Sequence, residues 1–104
     1  MNHFSKALSD ELSRRSLSVY ELAKVVDLDS AFLFRLTTGL KNPSHRTILM
    51  LVDAISLTPD QRLMRALGMN VTADHKDPEW IRVAWKLNYA AMLDGGAKSK
   101  QSRR

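Results

Sequence analysis

The chain has 104 residues, which is enough for one hydrophobic core and too few for two independent ones. It contains no cysteine, so disulfides, thiolate metal sites and thiol nucleophiles are excluded. Lys and Arg number 16 and Asp and Glu number 11, and the resulting formal net charge of +5 favours a polyanionic partner.

The spacing of apolar residues predicts helices throughout the chain and no strand. Each predicted helix starts at a side chain that can accept a hydrogen bond from a free amide of its first turn. In chain order these capping residues are Asn2, Ser18, Asp29, Ser44, Thr58 and Asp77. Pro59 and Pro78 follow the last two caps, where a missing N–H costs nothing. Gly39 and Gly68 are placed to end the third and fifth helices in a left-handed conformation.

The predicted helices fall into four segments of the chain. Residues 1–69 hold a domain of five helices, and residues 70–76 form a polar connector. Residues 77–94 form a C-terminal helix, and residues 95–104 form a basic, flexible tail. The tail is either a solvated end or an arm that binds nucleic acid. No stretch approaches the roughly 20 apolar residues of a membrane span, and no secretory signal is visible. We therefore expect a soluble, cytoplasmic protein with no membrane partner.

Several spaced positions between residues 12 and 57 form a combined motif. They are Ser18-x-x-Glu21-Leu22-Ala23, Leu28-Asp29, Leu33, Arg35, Gly39-x-Lys41-x-Pro43-Ser44 and the apolar run from Ile48 to Ile55. On these residues the chain resembles the lambda-repressor-like (Cro/XRE) helix-turn-helix family. The small Ala23 lets the second helix cross the third closely, as this motif requires. We therefore predict an all-α fold, a five-helix lambda-repressor-like helix-turn-helix domain plus an additional C-terminal helix.

The resemblance implies a binding surface for double-stranded DNA, because in this family the third helix lies in the major groove. Carried over by position, the groove-facing residues are Ser30, Ala31, Phe34 and Arg35. The residues expected near phosphates are Lys41, Asn42, Ser44 and Arg46. Arg14 and Arg15 are expected to add attraction to the phosphates. Arg35 is the best candidate for a bidentate contact to guanine.

The chain also departs from the family at the reading surface. Val19 stands where glutamine is common, Asp27 where the turn glycine is usual, and Phe34 where a polar residue is common. Phe32 and Phe34 therefore leave three interpretations open. The rings contact thymine methyl groups, they form with Val19 a docking patch of an antitoxin or adaptor, or Phe32 packs in the core.

The last helix has an apolar face wider than the roughly 100° stripe that one core covers. This width predicts a homodimer, and the expected dimerisation residues are Trp80, Ile81, Ala84, Trp85 and Met92. A dimer presents two recognition helices about 34 Å apart, one turn of DNA. The alternative is that Trp80 and Trp85 only cover the core.

Catalysis has little support in the sequence. His3, His45 and His75 lie far apart, and no phosphate-binding glycine loop, metal-ligand spacing or nucleophile motif is present. We therefore expect no catalytic residue, no metal and no cofactor. The predicted function is sequence-specific DNA binding by a transcriptional regulator, with a protein-interaction module as the alternative.

Overall fold

The computed structural model describes residues 2–95, which form six α-helices and no strand. The helices are α1 (His3–Arg14), α2 (Val19–Val25), α3 (Ser30–Thr38), α4 (His45–Ile55), α5 (Pro59–Ala66) and α6 (Pro78–Leu93). The all-α prediction is confirmed for this part of the chain. The predicted tail, from residue 96 onward, lies outside the described residues. None of the helices between residues 2 and 95 has the length and apolar content needed to cross a membrane.

All six predicted capping side chains accept an amide hydrogen bond at the start of a helix. The cap of α2 is reciprocal, because Glu21 N donates to Ser18 Oγ at 3.0 Å and Ser18 N donates to Glu21 Oε1 at 2.9 Å. Gly39 follows α3 with φ of 83°, a value that a residue without Cβ adopts at little cost. These local signals explain why the helices start where the sequence predicted and why α3 ends before Gly39.

One hydrophobic core joins the helices. α1 packs against both α3 and α6, and α4 packs against α6. The largest fully buried apolar side chains are Phe4, Leu8, Leu22, Leu33, Leu36, Ile48, Leu51, Ile55, Leu57 and Leu87. α6 therefore shares the core of the preceding helices. α5 contacts α2 and contributes no buried residue.

A buried carboxylate fixes α6 to α1. The side chain of Glu11 is fully buried, with Arg82 Nη2 at 2.7 Å from its Oε1 and Lys86 Nζ at 2.9 Å from its Oε2. Burial works to raise the pKa of Glu11, but the hydrogen bonds from Arg82 and Lys86 lower that pKa to about 2. Glu11 is therefore ionised at neutral pH and holds two cations of α6.

Two further contacts fix the ends of α6. At its C-terminal end, Asp94 accepts hydrogen bonds from the backbone amides of His3 and Phe4, each at 2.9 Å. This carboxylate therefore satisfies amides at the start of α1, which have no partner inside their own helix. At the other end, Trp80 Nε1 donates to Asp53 Oδ1 of α4 at 2.7 Å.

Candidate nucleic-acid interface

The packing of α2 on α3 determines which side of α3 faces outward. The two helices are joined by residues 26–29 and contact each other. Leu22 of α2 and both Leu33 and Leu36 of α3 are fully buried, so the opposite side of α3 is exposed. Asp29 fixes the start of α3 by accepting from the amides of Ala31 and Phe32 at 3.1 and 3.3 Å.

The exposed side of α3 and the start of α2 border an open depression, here called the α3 face. Its lining residues are Val19, Tyr20, Ser30, Ala31, Phe34, Arg35 and Leu40. All four residues predicted to face the DNA groove lie in it. Phe34 is 57% exposed, so its ring is available to a partner.

The two phenylalanines of α3 lie in different environments. Phe32 is half-buried and packs against the core, and it does not line the α3 face. Of the interpretations left open for Phe32, the geometry therefore favours packing in the core. Val19 and Phe34 do line the depression together, so the apolar patch contains two of the three residues proposed from the sequence.

Two members of the α3 face were not identified from the sequence. Tyr20 and Leu40 are each 75% exposed. Helical spacing could have identified Tyr20 as exposed, because it lies two positions before the buried Leu22 and therefore on the opposite side of α2. Leu40 follows Gly39 outside any helix, where periodicity carries no information.

The residues that follow α3 differ in whether their side chains already have a hydrogen-bond or ion-pair partner. Lys41 and Arg46 are exposed, and neither forms an ion pair within residues 2–95. Asn42 Oδ1 accepts from the side chain of Asn2 at 3.2 Å. Ser44 Oγ accepts from Thr47 N at 3.1 Å and thus serves as the cap of α4. Lys41 and Arg46 therefore remain as the charged groups available to phosphate.

Arg15 does not fit its predicted role near phosphate, whereas the side chain of Arg14 stays 57% exposed. Arg15 is largely buried, forms an ion pair with Glu79, and has its Nε 3.6 Å from Glu11 Oε1. Arg14 Nη1 lies 3.3 Å from Glu11 Oε2. Both guanidinium groups pair with carboxylates where α1 meets α6, so Arg15 in particular is not available to a phosphate.

The predicted dimerisation residues lie along one side of α6 but are not equally exposed. Trp85, Met92 and Ile81 are 71%, 55% and 44% exposed. Ala84 is half-buried, and Trp80 is half-buried with its indole bound to α4. Trp80 thus covers the core, as the alternative interpretation stated, whereas Trp85 does not.

The histidines serve as partners of carboxylates or lie exposed. His3 Nδ1 lies 2.9 Å from Asp94 Oδ1, and His75 Nε2 lies 3.0 Å from Asp53 Oδ1. His45, the first residue of α4, is exposed. Among residues 2–95, no group of three or more His, Asp and Glu side chains is arranged to hold a metal ion.

No known protein family, characterised protein or solved structure matches this chain significantly. Three features of the described residues bear on a proposed function. They are the exposed side of α3, the unpaired cations that follow it, and the apolar side of α6. The first two carry the chemistry of an anion-binding surface with one guanidinium among apolar groups.

Proposed function

We propose that this protein binds double-stranded DNA through α3, as a helix-turn-helix transcriptional regulator of the lambda-repressor-like type. The observation that carries the proposal is the distribution of positive charge. Arg35, Lys41 and Arg46 are exposed and form no ion pair within residues 2–95. In contrast, Arg14 of α1 and both Arg82 and Lys86 of α6 pair with the carboxylate of Glu11. Three unpaired cations therefore lie on and after α3, where we place the polyanion. Lys6, Lys24 and Lys76 are also exposed and form no ion pair within residues 2–95, so charge alone does not choose between these surfaces.

The backbone phosphates of DNA supply most of the affinity in this proposal. Lys41 and Arg46 displace counterions from the DNA, so binding weakens as the salt concentration rises. The amides of His45 and Arg46, in the first turn of α4, donate no hydrogen bond within residues 2–95 and are suited to a phosphate oxygen. These contacts position the protein and carry no base specificity.

The α3 face recognises the bases in this proposal. The major groove is wide enough to admit a helix, so α3 can bring this face to the base edges. The guanidinium of Arg35 has the geometry for two hydrogen bonds to guanine. Ala31 and Phe34 offer apolar contact to thymine methyl groups. Bound at a promoter, the protein would act by occluding polymerase or by contacting it.

A second function has one specific observation in its favour. Tyr20, Phe34 and Leu40 expose apolar surface on the α3 face, and contiguous exposed apolar surface marks protein-binding sites. The alternative is therefore a protein-interaction module on the same fold, such as an antitoxin or an adaptor. In that case the same face would bind a protein instead of DNA.

Binding to a labelled duplex of random sequence, measured by fluorescence anisotropy at two salt concentrations, tests the proposal. DNA binding predicts a clear affinity that falls steeply with added salt. Absence of binding at the lower salt concentration would contradict it and favour the protein-interaction module.

A further inference from the structure

A cavity of about 320 Å³, here called the α2–α5 cavity, lies between the second and fifth helices. α5 contacts α2 but buries no side chain of its own, and the space between the two helices is left unfilled. The volume lies at the lower end of the range for small-molecule sites in proteins, which begins at about 300 Å³. The α2–α5 cavity shares no lining residue with the α3 face or with the apolar side of α6.

Most of the wall of the α2–α5 cavity is apolar. The apolar lining residues are Leu17, Val25, Pro59, Leu63 and Ala66. Val25 is buried and Leu17 packs against the core, so this part of the wall is fixed by the fold. Leu63 is 61% exposed. A ligand with an apolar body would therefore remove the side chain of Leu63 from water.

One guanidinium of the cavity has no acidic partner. Arg62 forms no ion pair within residues 2–95, and its side chain makes one hydrogen bond there, from Nη1 to the carbonyl oxygen of Leu57 at 2.8 Å. The edge formed by Nε and Nη2 is left for a ligand. Burial and the positive charge of Arg15 lower the pKa of Arg62, which still remains charged at neutral pH. An anion would stabilise a partly buried cation that lies near another cation.

The other charged groups of the cavity leave one positive charge in excess. Lys24 is exposed and forms no ion pair in the described part of the chain. Glu21 is ionised at neutral pH, because hydrogen bonds from the amide and the hydroxyl of Ser18 lower its pKa. Two cations, Lys24 and Arg62, therefore line the cavity together with one carboxylate. This balance suits a ligand with a single negative charge, whereas a dianion such as phosphate would be incompletely compensated.

The residue between α1 and α2 is a second, independent observation. Ser16 follows α1 with φ of 52°, and it is the only non-glycine residue in the left-handed region among residues 2–95. Glycine is usual at this position and adopts the conformation at lower cost, so serine is not the residue that stability favours. Ser16 lines the α2–α5 cavity, and its hydroxyl makes no hydrogen bond within the described residues. A ligand would give this unfavourable choice a purpose.

We propose that the α2–α5 cavity binds a small monocarboxylate with an apolar body, such as a medium-chain fatty acid. The free edge of the Arg62 guanidinium donates to both carboxylate oxygens, the geometry in which this pair is strongest. The hydroxyl of Ser16 donates to the same carboxylate, and Lys24 adds positive charge at the rim. The apolar body lies against Leu63 and Ala66.

Titration of the ¹⁵N-labelled chain with octanoate, followed by amide chemical shifts, tests the site. The changes should fall on residues 16–25 and 59–66 and saturate with a dissociation constant on the order of 0.1 to 1 mM. Octanamide keeps the apolar body without the charge, and acetate keeps the carboxylate without the body. Each should bind about tenfold more weakly than octanoate, because each loses one of the two kinds of contact.

Three variants separate ligand binding from a structural role. Arg62→Gln should weaken octanoate binding about tenfold, because it removes the charge that pairs with the carboxylate. Arg65→Gln is the matched control, since Arg65 is half-buried on the same helix and does not line the cavity; it should leave the affinity unchanged. Ser16→Gly should raise the midpoint of thermal unfolding and yet weaken octanoate binding. A purely structural serine would not lower the affinity when it is replaced.

Any of four results would overturn the proposal. They are the absence of saturable changes at residues 16–25 up to about 5 mM octanoate, equal affinity for octanamide, undiminished affinity in both Arg62→Gln and Ser16→Gly, and an equal loss in Arg65→Gln. The titration contains no DNA, so its failure is distinguishable from failure of the proposed function.

Discussion

Glu11 and Arg82, which lie 71 positions apart in the chain, form a bidentate ion pair between α1 and α6. Arg82 Nη1 lies 3.0 Å from Glu11 Oε2, and Nη2 lies 2.7 Å from Oε1. Because Lys86 also binds this carboxylate, one buried acid holds two cations of α6. α6 is therefore fixed to α1 and to the core that it shares with the preceding helices.

Replacing Glu11 with Gln should destabilise the fold strongly. The variant removes the negative charge that compensates Arg82 and Lys86, and breaking a buried ion pair in this way costs about 3 kcal/mol. Urea unfolding monitored by circular dichroism measures the loss. Asp10→Asn is the matched control, since Asp10 is exposed on the same helix and should change stability by less than about 0.5 kcal/mol. Equal effects of the two variants would contradict the assigned role of Glu11.

The lowered pKa of Glu11 predicts acid sensitivity. The carboxylate has a pKa of about 2 when folded, against an ordinary value of 4.5, so its ionised form favours the folded state. Its contribution is complete above about pH 4.5 and is lost as the pH falls towards 2. Between these limits the free energy of unfolding should fall on the order of 3 kcal/mol further in the wild type than in Glu11→Gln. Parallel pH profiles for the two proteins would be inconsistent with this pKa.

Removing the carboxylate of Asp94 should loosen the junction between the end of α6 and the start of α1. Asp94→Ala leaves the amides of His3 and Phe4 without their acceptor, which should cost about 1 kcal/mol, as loss of a helix cap does. Hydrogen exchange should accelerate at those two amides and much less at Leu22. Unchanged exchange at both amides would contradict the contact.

Alanine substitutions of the two phenylalanines of α3 should affect different quantities, one the affinity for DNA and the other the stability of the fold. Phe34→Ala should reduce affinity for DNA with little change in stability, because its ring is exposed on the α3 face. Phe32→Ala should destabilise the protein by about 2 kcal/mol, because its half-buried ring packs on the core. Thermal unfolding and anisotropy on the same samples measure both quantities. A reversed pattern would show that the rings have been assigned to the wrong surfaces.

The helices and their starts could be predicted from the sequence, because helix starts depend on neighbouring residues. Ser18 and Glu21 lie three positions apart and form their capping box without help from the rest of the chain. The burial of Glu11 could not be predicted in this way. Its partners Arg82 and Lys86 come from a distant helix, and periodicity alone assigns a carboxylate to the outside.

The α3 face was predictable only in part, for a related reason. The position of Arg35 follows from the helical period once Leu33 and Leu36 face inward. Leu40 lies beyond the end of the helix, so its exposure depends on the course of the backbone after Gly39. The charge of Arg15 predicts a contact with phosphate, whereas the fold places Glu79 beside it.

Two cations near α3 should have different effects on DNA binding. A preferred duplex is first selected from random sequences. Lys41→Ala should then weaken binding to all duplexes, and the slope of the logarithm of the binding constant against the logarithm of the salt concentration should become shallower by about 1. Arg35→Ala should cost about 1 to 3 kcal/mol on the preferred duplex and less on others. Lys76→Ala removes an exposed cation from the connection before α6 and serves as the control. Equal losses from Lys41→Ala and Arg35→Ala on every duplex would contradict this division.

The most direct measurement is a titration of ¹⁵N-labelled protein with the selected duplex, followed by amide chemical shifts. If α3 enters the groove, the largest changes should fall on residues 30–35 and 40–46, with residues 59–66 of α5 nearly unaffected. Changes concentrated on α5 or α6, or no changes at low salt, would contradict the proposal that the α3 face binds DNA.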